Sequence, residues 1–168
     1  MDTPAARLFL AFWPTPAVRD ALLAWRDAWD WPHKATPVRA EQLHLTLHFI
    51  GDVARERVPT LADALDAPLQ PFALRFGRAA LWQHGVAVAE PLTAPARLLA
   101  LHAALGQVLL AHELPLDARP FRPHVTLARR AAAASAQPGP ALRWQVRSYA
   151  LMESRAGAYL IVRRYGAR

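Results

Sequence analysis

Two short segments in different halves of the chain place a threonine two residues after a histidine. They read His44-Leu45-Thr46-Leu47 and His124-Val125-Thr126-Leu127. Random order of this composition would give on the order of 0.04 matches to His-x-Thr-Leu, so the repeat indicates selection rather than chance. Residues i and i+2 of a β-strand project from the same face, about 6.5 to 7 Å apart. Each histidine is therefore expected to share a face with its threonine.

A cleft lined by both segments would hold two imidazoles and two hydroxyls, a set suited to in-line attack on a phosphodiester. One neutral imidazole can take a proton from water and the other, protonated, can give one to the departing oxygen, because the free pKa of histidine is about 6.5. Threonine hydroxyls can donate hydrogen bonds to the non-bridging oxygens. The scheme uses His44, His124, Thr46 and Thr126, and it requires no metal ion or other cofactor.

The remaining histidines have weaker claims to chemistry. A single His-x-Thr is more often structural, so the catalytic hypothesis depends on the pair. His48 shares the face of His44 if the strand alternates strictly. Two roles for His48 therefore stay open: a third residue of the site, or a residue at the solvent edge of the site. The others are interpreted as ordinary polar or packing residues without partners: His33, His84, His102 and His112.

Composition limits the class of protein. The 168 residues, 54% hydrophobic and 20% charged, can form one compact domain or two small lobes that share a core. The absence of cysteine excludes disulfides, thiolate zinc sites and a cysteine nucleophile. A net charge of +7 suits a polyanionic partner. All 20 basic residues except Lys34 are arginine, however, a bias that a GC-rich genome could produce unaided.

Hydrophobic patterning predicts the elements that must position the site. Strands are expected at residues 7–13, 43–50, 72–76, 79–82 and 86–89, around His124, and in a closing hairpin of residues 144–152 and 159–165. Helices are expected from Pro16 with Thr15 as the cap, at residues 55–65, and from residue 98 to about 113. Gly51 is expected to end the second strand, and residues 131–140 to form a flexible loop. This order favours an α+β fold with antiparallel sheets.

Four tryptophans cluster around the first helix. Core packing is the expected role, with base stacking as the alternative, for Trp13, Trp25, Trp29 and Trp31. No apolar run reaches the roughly 18 to 20 residues of a membrane-spanning helix, and a cytoplasmic location without membrane contact is expected.

The motifs and their surroundings resemble the 2H phosphoesterase superfamily, and within it the RNA 2′,3′-cyclic phosphodiesterases that are also called 2′-5′ RNA ligases. The resemblance extends over residues 7–11, 41–51, 98–102, 119–129 and 149–154. It implies a bilobal α+β fold in which two antiparallel sheets, flanked by helices, are related by a pseudo-twofold axis around a central cleft. The whole chain, residues 1–168, would form this single domain, with interleaved lobes that each supply one His-x-Thr motif.

The resemblance also implies roles for individual residues. His44 would be the general acid that protonates the 3′ oxygen and His124 the base that activates water, so that a 2′-phosphate is left. Thr46 and Thr126 would hold the phosphate.

Two further residues are carried over in the same way. Phe49 would help to hold the nucleoside, and Arg129 matches the family's basic residue after the second motif. Strict alternation places Arg129 on the face opposite His124, so it reaches the phosphate only if the strand ends or bulges there.

The expected substrates are RNA ends, including tRNA fragments, or small cyclic nucleotides, and a monomer is expected. Three alternatives stay open. The same chemistry run backwards would join RNA ends through a 2′-5′ linkage when a 5′-hydroxyl replaces water. A basic RNA-binding module without catalysis would also explain the arginine excess. A zinc enzyme would need a carboxylate ligand, and no His-Glu-x-x-His helix is present in the sequence.

Overall fold

The computed structural model describes residues 4–166, which form three helices and a set of antiparallel strands. The helices are α1 (Pro16–Asp27), α2 (Val58–Ala64) and α3 (Ala96–Ala111). The strands are β1 (Ala5–Phe12), β2 (Thr36–Pro37), β3 (Leu45–Ala54), β4 (Phe72–Trp82), β5 (Val86–Pro91), β6 (Val125–Arg129), β7 (Leu142–Val146), β8 (Ser148–Arg155) and β9 (Ala158–Gly166). Short 3₁₀ turns lie at Ala40–Gln42, Arg55–Arg57 and Gln83–Gly85.

The predicted start of α1 is confirmed. The Val18 amide donates to the Thr15 hydroxyl at 3.4 Å, and Pro16 occupies the first turn, where its missing N–H leaves no bond unmade. One face of the helix, with Leu22 and Trp25, is buried in the core. Core packing is likewise confirmed for Trp29, whose side chain is 4% exposed.

Three predicted boundaries are wrong. β3 continues through Gly51 and does not end there. The φ of this glycine is +87°, and it lies beside a register shift against β1, so the glycine permits an irregularity within the strand. The predicted strands 72–76 and 79–82 are one strand, β4. The predicted strand 144–152 is two, because the chain crosses at Arg147 from pairing with β4 to pairing with β1.

The described strands form one antiparallel sheet in the order β7-β4-β5-β6-β3-β1-β8-β9, with β2 added on β6. Strands β1, β3, β8 and β9 are called here the first half, and β4 to β7 the second half. The two halves join only through the pairing of β3 with β6, at the residue pair Leu45–Val125. The predicted α+β class with antiparallel strands and flanking helices is confirmed, and the two predicted sheets are the two halves of one continuous sheet.

The main core lies between one face of this sheet and the helices. It contains Trp25 of α1, Leu105 of α3 and Trp144 of β7, each at most 2% exposed. A smaller cluster on the opposite face includes Phe9 and Met152. The helices therefore cover one face of the sheet and leave the other for a cleft. No helix within residues 4–166 is both long and apolar enough to cross a membrane.

Candidate active site

The two His-x-Thr segments meet where the halves of the sheet join. Leu45 and Val125 pair in antiparallel register, so continuing that register by one residue sets His44 opposite Thr126 and Thr46 opposite His124. Both paired residues are fully buried, so their chain neighbours project to the other side. All four of those side chains line one cleft with a volume of about 1470 Å³.

Each histidine ring is oriented by the same local hydrogen bond. Nδ1 of His44 donates to the carbonyl of Gln42 at 2.6 Å, and Nδ1 of His124 donates to the carbonyl of Arg122 at 2.8 Å. In both cases the acceptor lies two residues earlier in the chain. A neutral ring held in this way keeps its proton on Nδ1 and leaves Nε2 for chemistry.

Aromatic rings surround His44. Trp13 stacks on its imidazole with a centroid distance of 5.2 Å and an interplanar angle of 6°, and Tyr159 meets it edge-on at 5.4 Å. The predicted packing role of Trp13 is confirmed on the smaller cluster rather than in the main core, because its half-buried side chain packs against the cluster that includes Phe9 and Met152. Nε2 of His44 lies 3.0 Å from the Thr46 hydroxyl. Burial lowers the pKa of His44, assisted by the charges of His124 and Arg129.

Charged groups surround His124. Its ring lies 4.3 Å from that of Trp82, and the Arg122 guanidinium covers the same indole. Burial lowers the pKa of His124, as do Arg129 and Arg122, while the nearby carboxylate of Glu90 raises it. Arg129, which lines the cleft, thus lowers the pKa of both histidines.

A β-bulge in each motif strand decides which side chains reach the cleft. Ala11 pairs with Thr46 and Leu10 with His48, so Leu47 is an extra residue in β3. Val88 pairs with Thr126 and Ala87 with Ala128, which leaves an extra residue at the same place in β6. An extra residue resets the alternation of side chains beyond it.

Because of these bulges, the third residue after each threonine faces the cleft. Phe49 is paired with Phe9, is 50% exposed and lines the cleft, whereas strict alternation from Leu45 would place it on the buried face. Arg129 lines the cleft from the equivalent position of β6. Arg129 was expected to reach the cleft only if its strand ends or bulges, and the bulge in β6 meets this condition.

His48 does not share the face of His44. It pairs with the buried Leu10, is 8% exposed and bonds through Nε2 to the carbonyl of His102 at 2.8 Å. The His102 ring stacks on His48 at 3.9 Å and on Phe121 at 3.8 Å, and the nearby Leu47 carbonyl partly offsets the lowering of its pKa by burial. His48 and His102 therefore connect the bulged part of β3 to α3. The interpretation of His102 as a residue without a partner is wrong.

Three residues outside the two His-x-Thr segments form one group beside His124: the cleft-lining Trp82, the buried Glu90 and the cleft-lining Arg122. They come from β4, from β5 and from the loop before β6, so only the tertiary pairing brings them together. A glutamate inside the otherwise apolar strand Val86–Pro91 was the one available signal. His84 also lines the cleft, whereas His33 is exposed. No group of three or more His, Asp or Glu side chains within the described chain is arranged to hold a metal ion.

Comparison with known proteins gives consistent matches over nearly the whole chain. Residues 14–164 match the family described as the 2′-5′ RNA ligase superfamily. The RNA 2′,3′-cyclic phosphodiesterase of Escherichia coli (strain K12) is 33% identical over 157 residues, which covers 88% of this chain and 83% of that protein. The enzyme of the same name from Thermus thermophilus is 31% identical over 96% of this chain and 90% of its own.

Solved structures match equally well. The crystal structure of E. coli LigT complexed with 3′-AMP has a TM-score of 0.90 at 27% sequence identity and covers 98% of this chain and 99% of its own. The crystal structure of the Thermus thermophilus protein TT0787 has a TM-score of 0.81 at 29% identity and covers 96% of this chain and 98% of its own.

Proposed function

This chain belongs to the 2′-5′ RNA ligase superfamily, and from that membership and the cleft geometry we propose that it hydrolyses 2′,3′-cyclic phosphate ends of RNA to 2′-phosphates. The two imidazoles carry both proton transfers, so the reaction needs no metal ion. The observation that carries the proposal is the matched pair of histidines at the single residue pair that joins the halves.

His124 is the proposed general base. Its neutral ring donates Nδ1–H to the Arg122 carbonyl, so the lone pair on Nε2 accepts a proton from water as the water oxygen attacks phosphorus. The lowered pKa keeps this nitrogen unprotonated at neutral pH. The nearby carboxylate of Glu90 then favours the imidazolium that forms.

His44 is the proposed general acid. In its imidazolium form Nε2 donates a proton to the departing 3′ oxygen, and the 2′-phosphate remains on the ribose. The indole face of Trp13, parallel to the imidazole, favours the charged ring through a cation–π interaction. Burial lowers the pKa of the free His44 ring, so the bound phosphate anion is required to restore the proton.

The phosphate oxygens are assigned to three side chains. The hydroxyls of Thr46 and Thr126 donate to the non-bridging oxygens, and the Arg129 guanidinium offsets the charge that builds on them in the transition state. Phe49 is assigned to the nucleoside. Its half-exposed ring already carries the Arg7 guanidinium at 4.9 Å, which gives a stacking surface at that end of the cleft.

The test uses purified protein, a chelator and a panel of 2′,3′-cyclic nucleotides, with identification of the monophosphate formed. We expect 2′-monophosphates, and we expect His44→Ala and His124→Ala each to lose roughly 10²- to 10⁴-fold in kcat/KM while circular dichroism and melting temperature stay near wild type. His33→Ala, at an exposed histidine outside the cleft, is the matched control. Near-wild-type kcat/KM in both cleft variants, or activity that disappears with the chelator, would overturn the proposal.

An RNA-binding assay and a joining assay on the same variants separate the alternatives. Salt-sensitive RNA affinity that survives both histidine substitutions, with no turnover by the wild type, would select the non-catalytic RNA-binding module. Joined product from two RNA halves would add 2′-5′ end joining. A cleft of about 1470 Å³ favours testing it, because it exceeds the roughly 300 to 1,000 Å³ of ordinary small-molecule sites. RNA as the substrate, a cytoplasmic location, the monomer and the single bilobal domain of interleaved lobes are part of this proposal.

A further inference from the structure

A buried carboxylate fixes a tryptophan and an arginine beside His124. One carboxylate oxygen of Glu90, a residue that is 7% exposed, forms an ion pair with Nη2 of Arg122 at 2.6 Å and accepts a hydrogen bond from Nε1 of Trp82 at 2.9 Å. Its second oxygen lies 3.4 Å from Nε of Arg78. The Arg122 guanidinium lies over the indole ring, with its carbon 4.3 Å from the ring centroid. Both groups are therefore held in one arrangement.

The free side of this Trp82–Arg122 pair belongs to the cleft. Both residues line it, and the Arg122 side chain is 61% exposed although its charge is paired with Glu90. A guanidinium with one face on an indole still offers its other face for stacking. Planar cations and aromatic rings of this kind bind nucleobases without regard to their identity.

This pair is distinct from the surface assigned to the nucleoside that carries the cyclic phosphate. That surface is the Arg7–Phe49 pair, which belongs to β1 and β3 of the first half. The Trp82–Arg122 pair belongs to the second half, on the side of the base His124. Each half thus contributes one arginine–aromatic pair, with the two catalytic histidines between them, and hydrolysis of a single cyclic nucleotide would occupy only one.

We propose that Trp82 and Arg122 form a second nucleobase subsite and that Glu90 is its positioning residue. The inference rests on the proposed function, since it assigns the substrate a second nucleoside. That nucleoside has two sources with the same chemistry. It is either the nucleotide that precedes the cyclic phosphate in the same RNA, or the nucleoside of a 5′-hydroxyl acceptor in the joining reaction.

The test compares kcat/KM for a mononucleotide 2′,3′-cyclic phosphate with that for a dinucleotide ending in the same group. We expect wild type to prefer the dinucleotide by about tenfold, because one stacked base contributes roughly 1 to 3 kcal/mol. Arg122→Ala should lose this preference. Arg122→Lys should lose it too, since lysine keeps the charge but has no planar face. Arg143→Ala removes the same charge from the edge strand β7, outside the cleft lining, and should keep the preference.

Glu90→Gln tests the positioning role. The amide still offers an oxygen to Trp82 but holds Arg122 without a charge, so we expect a partial loss of the dinucleotide preference, mainly through KM. An unchanged preference in this variant would remove Glu90 from the proposal.

Two further measurements identify the source of the second nucleoside and distinguish a failed subsite from failed hydrolysis. If wild type hydrolyses both substrates equally but Arg122→Ala and Arg122→Lys lose joining to a 5′-hydroxyl dinucleotide, the acceptor occupies the subsite. Calorimetric Kd values for mononucleotide and dinucleotide 2′-phosphates report the same preference without turnover, so failed hydrolysis can be told apart from a failed subsite. The inference is overturned if neither Arg122 variant changes any of these ratios, or if Arg122→Lys behaves as wild type.

Discussion

The two halves of the molecule hold their histidines by the same bond and surround them with different groups. His44 and His124 each donate Nδ1–H to the carbonyl two residues earlier, at 2.6 and 2.8 Å. Beyond that bond, His44 lies against the parallel indole of Trp13, whereas His124 lies near Arg122 and the carboxylate of Glu90. The shared bond selects Nε2 as the reactive nitrogen in both halves. The different surroundings supply the asymmetry that separate acid and base roles require.

The proposed difference in role between His44 and His124 is tested most directly by changing the leaving group. Sulfur in place of the bridging 3′ oxygen leaves as a thiolate and needs little protonation, so a missing general acid matters less. On the oxygen substrate we expect each of His44→Ala and His124→Ala to lose roughly 10²- to 10⁴-fold in kcat/KM. On the sulfur substrate only His44→Ala should recover most of that loss. Recovery by His124→Ala alone would exchange the two roles, and equal recovery would end the assignment.

Arg129 is the group that both halves share, so its removal should affect both histidines. Arg129→Gln removes the cation that we propose stabilises the phosphate, and we expect a loss of about 10²-fold in kcat/KM. Because that cation lowers the pKa of both rings, both limbs of the pH profile should also move to higher pH. Arg130→Gln, at the exposed neighbour outside the cleft lining, is the control. A loss of rate without any movement of the profile would contradict this account.

The core of the site could be predicted from the sequence because its signal is local. A histidine and a threonine two residues apart share a face wherever a strand forms, and the two copies meet in the structure at Leu45 and Val125. The cleft-facing positions of Phe49 and Arg129 could not be predicted in this way. They depend on one extra residue in each strand, and a bulge is defined only by the register of the neighbouring strand.

The surroundings of the two histidines were also beyond local reasoning. Trp82, Glu90 and Arg122 are separated along the chain and meet only because β4, β5 and β6 are neighbours in the sheet. Strand and helix existence followed from periodicity, but Gly51 was misjudged, since a glycine with positive φ ends some strands and kinks others. Alternation and turn residues therefore predicted the strands and helices, whereas strand pairing determined which side chains meet in the cleft.

The protonation states of the two halves can be compared through two pH profiles. In the proposed mechanism the alkaline limb reports loss of the proton from the general acid His44, whose pKa is lowered in the free protein by burial. A bound phosphate anion favours the imidazolium and raises that pKa again. We therefore expect the alkaline limb of kcat, which reports the complex, at higher pH than that of kcat/KM, which reports the free enzyme. Coincident limbs would mean that the substrate does not contact His44.

The smallest expected effect concerns the attachment of the first half to α3. Burial, with the nearby His48, lowers the pKa of His102 to about 4, so the unfolded chain, with a histidine pKa near 6.5, binds the proton more readily. Stability should therefore fall as the pH falls from about 6.5 to about 4. His102→Phe keeps the stack between His48 and Phe121 but cannot titrate.

For His102→Phe we expect a melting temperature about 2 to 4 °C lower at pH 7.5, because the polar interaction of the ring with the nearby Leu47 carbonyl is lost. Between pH 6.5 and 4 the variant should lose less stability than wild type. His33→Phe makes the same change at an exposed position and should keep the wild-type pH dependence. Melting curves across this range measure both effects. If His102→Phe and wild type lost stability in parallel, the buried stack would not be the acid-sensitive link between β3 and α3.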